Sequence, residues 1–145
     1  MQPRLRSPLA TWLMAAVTGG IYLPFWAWNV ATELNYAEGQ TVFHVNAWRL
    51  AFGVLLVAYI AGFVVATETD RIWPVMTAGF ALLGLYIHVQ LAIGNYIKRK
   101  DQELSTRGSY SHIISLLLLW MFALYGVAYI QRSLNRIIRR SRARL

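Results

Sequence analysis

Apolar residues gather along this chain into four long runs separated by short polar connections. A helix rises about 1.5 Å per residue, so about 20 mostly apolar residues cross a hydrocarbon core. The first run, 8–30, holds no charged side chain, and the second, 48–67, holds only Arg49, at an edge where it can reach the headgroups. The third, 72–97, is long enough to cross with tilt, and the fourth covers 110–131. This pattern predicts an all-α fold: one membrane domain over 1–145, built as a bundle of four transmembrane helices. Aromatic residues mark the same limits. Trp12, Trp26, Trp28, Trp48, Trp73, Tyr96 and Tyr110 lie near run ends, where an apolar ring with a polar tip suits the headgroup level. Trp120 falls inside the fourth run.

Thr18-Gly19-Gly20 followed by Pro24 makes the first run the least regular. Proline removes a backbone donor and crowds the preceding turn, so a kinked first helix or a short break near Gly20 is expected, with a re-entrant segment as the alternative. Arg4 and Arg6 ahead of Leu9–Val17 have the form of a secretory leader, but apolar character continues well past Gly19. The segment is therefore read as retained. Beyond the fourth run, Ile130, Leu134, Ile137 and Ile138 recur at helical spacing among Arg132, Arg136, Arg139 and Arg140. That tail, 132–145, reads as a basic amphipathic extension suited to anionic lipid headgroups.

Composition supports the membrane reading. Of 145 residues 57% are hydrophobic and 14% charged, against about 25% charged in soluble domains. A net charge of +8 would suit a nucleic-acid binder, but the basic residues flank apolar runs, which points to topology and headgroups instead. There is no cysteine, hence no disulfide, thiolate metal site or cysteine nucleophile. Four crossings place Arg4, Arg6, Arg71 and the six tail arginines opposite Arg49, Lys98, Arg99, Lys100 and Arg107. Both termini are then expected in the cytoplasm, with the basic 98–107 connection as the dissenting feature.

Small and polar residues mark packing faces in lipid, where no hydrophobic drive acts between helices. In the first run they are Thr11, Ala15, Thr18, Tyr22, Trp26, Asn29 and Glu33, and in the second Ala58 and Gly62. In the third, Thr77, Ala81, Gly84, His88, Ala92 and Asn95 share one side, while Gly79, Tyr86, Gln90 and Gly94 share another. A helix with two such faces is expected at the bundle centre or against a partner.

His88 is the one histidine deep in a run and so the one candidate cofactor ligand. A bis-histidine haem needs a second histidine at matching depth, which neither His44 nor His112 supplies, and the ordinary role is a neutral imidazole hydrogen-bonded to a neighbour. Glu33, Glu38, Glu68 and Asp70 show no metal or acid–base spacing, and no phosphate-binding glycine loop is present. No catalytic residue, metal or cofactor is assigned from these patterns.

Thr18-Gly19-Gly20-Ile21-Tyr22 with Trp26 and then Glu33-Leu34-Asn35 resembles the opening of a family of small bacterial integral membrane proteins catalogued only as a domain of unknown function. Tyr129, Gln131, Leu134 and Asn135 are similar to its closing pattern; Pro24 and the long basic tail depart from it. The resemblance implies a multi-pass protein of a bacterial inner membrane. It draws attention to Thr18, Gly20, Tyr22, Trp26, Asn35, Gln131 and Asn135 without assigning them an activity. The leading expectation is a non-catalytic membrane subunit that packs against a membrane-protein partner or a second copy. The alternatives are a small channel or transporter lined by His88, Gln90, Asn95 and Glu33, and a haem- or pigment-binding subunit.

Overall fold

A computed structural model describes residues 4–18, 22–104, 111, 113–114 and 125–143. The described residues form five helices and no strand: α1 (Pro8–Val17), α2 (Tyr22–Glu38), α3 (Val45–Thr69), α4 (Trp73–Glu103) and α5 (Tyr125–Arg142). The chain divides into two compact units. One is Phe43–Gln90; the other is Met1–Val42 together with Leu91–Leu145, so α4 contributes to both.

The Phe43–Gln90 unit is an antiparallel helical hairpin. Asp70, in the left-handed region at φ 55°, ends α3 and turns the chain into α4. Gly62 lets the helices close: a Cβ there would stand 2.9 Å from the Pro74 carbonyl carbon and the Val75 nitrogen. Further along, Tyr59 packs beside Gly79, and the Trp48 ring meets His88 edge-on at 6.4 Å. α3 and α4 are long and apolar enough to cross a membrane, and little of their apolar surface is buried within the protein. Leu50, Val54, Val57, Ile60 and Phe63 all face outward from α3. Helices apolar all round and this exposed need apolar surroundings.

The second unit departs from the expected bundle at both ends of the chain. Ser7 caps α1 by accepting the Ala10 N–H at 3.3 Å, with Pro8 in the first turn. After α1 the Thr18 hydroxyl donates to the Met14 carbonyl at 2.7 Å and accepts the Tyr22 N–H at 3.1 Å, which starts α2. Pro24 falls in the first turn of α2, where its missing N–H breaks no helical bond. The first run is thus two helices, not one kinked span. They are antiparallel, because Arg6 ahead of α1 reaches Glu33 near the end of α2 at 2.6 Å. With 10 residues, α1 is about 15 Å long, half a hydrocarbon core.

Most of the expected fourth run lies outside the described residues; of its two described ends, the Ser111 N–H donates to the Tyr129 hydroxyl at 3.1 Å. His112, Ser115 and Trp120 lie outside the described residues. The amphipathic tail is helical, as α5, but Ile130, Leu134, Ile137 and Ile138 are buried within the unit rather than turned to lipid. Arg132, Arg139 and Arg140 are exposed; Arg136 is instead partly buried and pairs with Asp101 at 3.0 Å. That ion pair, with Lys100 to Glu38 at 3.0 Å, places the end of α4 beside α2 and α5. Lys100 and Asp101 therefore lie in the same unit as Arg4, Arg6 and α5, while Arg107 lies outside the described residues.

Gly62→Val should destabilise the hairpin by about 1–3 kcal/mol, the ordinary cost of forcing volume into a closed contact. Gly53→Ala, where an added Cβ meets nothing within 4 Å, serves as the comparison and should unfold at or above the wild-type temperature in the same detergent.

Candidate functional site

Polar side chains converge in the four-helix unit in two adjoining groups. The first begins at Trp26, 1% exposed on α2, whose indole N–H donates to the Gln131 carbonyl oxygen at 2.8 Å. The Gln131 amide donates in turn to the Asn135 carbonyl oxygen at 2.9 Å, one helical turn on. Asn135 then clamps the chain ahead of α1: its amide donates to the Arg6 carbonyl at 2.5 Å, and its carbonyl oxygen accepts the Arg6 N–H at 3.3 Å. Glu33 completes the group, one carboxylate oxygen bound to the Arg6 guanidinium and the other to the Arg4 N–H at 3.0 Å. Each carboxamide presents both donor and acceptor, which lets it join two elements without leaving a polar atom bare.

The second group lies at the ends of α2 and α4. Glu38 accepts from the Tyr96 hydroxyl at 2.8 Å and from the Lys100 ammonium at 3.0 Å, and Lys100 also reaches Glu103 at 2.8 Å. Burial pushes the Glu38 carboxyl upward, but the hydrogen bonds from Lys100 and Tyr96 and the charges of Lys100 and Arg99 outweigh it and hold it below the usual carboxylate range. Its contribution to stability is present above that range and fades as pH falls through the lowered value. Between this cluster and α5 opens a groove of about 340 Å³. Leu34, Leu134, Ile137 and Ile138 form its apolar depth, and Glu103 and Arg142 stand at its exposed rim.

Of the residues singled out from sequence, Trp26, Gln131 and Asn135 meet in one chain of hydrogen bonds. Thr18 and Tyr22 form the turn between α1 and α2, and the Asn35 carbonyl oxygen accepts the Val42 N–H at 2.9 Å, closing the connection after Gly39 ends α2 at φ 65°. Gly20 lies outside the described residues. Gly84 is exposed, and a Cβ there would meet nothing within 4 Å among the described residues.

His88 is exposed on α4, level with Trp48 in the opening turn of α3 and therefore near the end of the hairpin rather than deep in a span. The antiparallel pairing sets this: residues 62 and 74 meet, as do 59 and 79, so 48 falls opposite 88. Gln90 is 2% exposed; its amide donates to the Tyr86 hydroxyl, and its carbonyl oxygen finds no partner among the described residues. Among the described residues, no three of His, Asp and Glu converge as metal ligands. Sequence reasoning missed the Glu38–Tyr96–Lys100 cluster, because its members are about 60 residues apart in the chain.

No protein-family model, curated protein or solved structure matches the chain. The reading of the site therefore rests on its own geometry.

Gln131→Leu leaves the buried Trp26 N–H unpaired and should cost about 1–3 kcal/mol in thermal or denaturant unfolding. Adding Trp26→Phe, which removes the orphaned donor, should recover part of that loss; strictly additive losses would show that the two side chains are not coupled.

Proposed function

We propose that this chain is a non-catalytic integral membrane interaction protein that docks a transmembrane helix of a partner complex, or of a second copy, along one face of α4. One observation carries the reading. Thr77, Ala81, Gly84, His88 and Asn95, at helical spacing on one side of α4, are exposed, with Ala92 on that side half-buried, whereas Gly79, Tyr86, Gln90 and Gly94 on the other side are buried or half-buried. Small residues allow close helix approach in lipid, and histidine and asparagine supply hydrogen bonds across it.

The topology proposed with this function has two crossings, α3 and α4, in place of four. The α1–α2 hairpin enters and leaves on one side, and α5 stays on that side. Arg71 is then the one described Lys or Arg on the far side; Arg4, Arg6, Arg49, Lys98, Arg99, Lys100 and the arginines of α5 share the other. Such an imbalance favours a cytoplasmic location for that face and both termini. The dissent of the 98–107 connection disappears with the four-crossing count. A channel is the weaker reading, because Gln90 turns inward, His88 and Asn95 turn outward, and Glu33 is engaged with Arg6.

Gly84→Leu tests the docking face, since among the described residues nothing stands within 4 Å of an added Cβ. The variant should keep its own thermal stability in mild detergent yet lose the co-purifying partner or oligomer. Recovery of wild type and variant alike as monomers, or an unchanged complex in the variant, contradicts the proposal.

A further inference from the structure

The groove at the ends of α2, α4 and α5 has a composition that selects a ligand. Its depth is apolar, from Leu34, Leu134 and Ile137, and among the described residues its charged lining carries both signs, Glu38 and Glu103 beside Lys100 and Arg142. Neither an anion nor a cation alone gains from such a lining; a molecule carrying both charges over an apolar body does. We propose that the groove binds the headgroup of a zwitterionic phospholipid bearing a primary amine, of the phosphatidylethanolamine class.

The ammonium of the ligand falls to Glu103. Its side chain is half exposed at the rim; one oxygen already accepts the Lys100 ammonium at 2.8 Å, and the Arg99 Nε stands 3.9 Å from the other, beyond hydrogen-bond distance. A carboxylate offers about four lone-pair sites, so Glu103 can accept a second donor without releasing Lys100. A primary ammonium can donate there, whereas a quaternary choline cannot. The phosphate falls to Lys100, which has three N–H donors and directs two of them to Glu38 and Glu103. The first carbons of an acyl chain then cover Leu134 and Ile137. A volume of about 340 Å³ holds a headgroup and the start of its chains, not a whole lipid. The groove also lies where such a headgroup would be: Lys98, Arg99 and Lys100 immediately follow the apolar stretch of α4.

This site rests on the reading of α3 and α4 as crossings, and the two are separable by experiment. Because the chain has no cysteine, a single Glu68→Cys labelled by an impermeant maleimide reports the crossing independently of lipid. For the groove, the detergent-purified full chain is titrated with phosphatidylethanolamine, phosphatidylcholine and phosphatidylglycerol of identical acyl chains, and bound lipid is read by native mass spectrometry. Phosphatidylethanolamine should be retained about tenfold better than either of the others, the scale of one charge-assisted hydrogen bond. Glu103→Gln, at an exposed rim position, should bring its retention down to that of phosphatidylcholine. Soluble glycerophosphoethanolamine, which lacks the chains, should bind far more weakly; equal binding would assign the site to a free metabolite instead and overturn the lipid. Equal retention of all three lipids, preference for phosphatidylglycerol, or an unchanged preference in Glu103→Gln would also overturn it.

Discussion

Gln131 and Asn135, one helical turn apart on α5, fasten three parts of the chain that no apolar contact alone would hold in register. The first takes the indole N–H of Trp26 from α2, and the second grips both backbone polar groups of Arg6 ahead of α1. Arg6 is thereby set beside Glu33, and α1 must run back along α2 instead of continuing it. In a buried setting such a network is costly to leave half-made, which makes the alternative, an extended first helix, unfavourable by several unpaired groups at once. The capture of α5 follows from the same bonds. Its apolar residues close over the unit, and its exposed arginines are left at the surface.

The two units meet opposite physical demands. The α3–α4 hairpin is held by close backbone approach at Gly62 and by ring contacts, and it leaves most of its apolar surface open. Packing of that kind suits lipid, where side chains gain nothing by hiding from their surroundings. The other unit buries Trp26, Ile93, Ile97, Val127 and Ile130 and surrounds them with ion pairs and carboxamide bonds. α4 serves both, apolar from Trp73 through Ile97 and charged from Lys98 onward.

Much of this was legible in the sequence. The all-helical character and the limits of α3 and α4 follow from uninterrupted apolar runs, and the break after Thr18 follows from paired glycines with a nearby proline. An apolar run of sufficient length need not be one crossing. Length and hydropathy cannot distinguish a span from two short helices folded back on each other; the pairing of Arg6 with Glu33 does so for the first run. The tail shows a related limit. Helical spacing of Ile130, Leu134, Ile137 and Ile138 establishes an apolar face, yet protein and lipid are equally able to cover it. Trp26, Gln131 and Asn135 stood out as motif residues, but their union across about 105 positions is a tertiary fact with no local signature.

The proposed two-crossing topology depends on the folded-back first segment, which can be measured as a distance. Spin labels on single cysteines introduced at Leu5 and Tyr36, both exposed and on either side of the α1–α2 hairpin, can be read by pulsed dipolar spectroscopy in detergent and in bilayers. The structure predicts a separation below about 25 Å, that of two neighbouring helix ends with their label arms. A continuous helix through this segment would give about 45 Å, and that value would contradict the account.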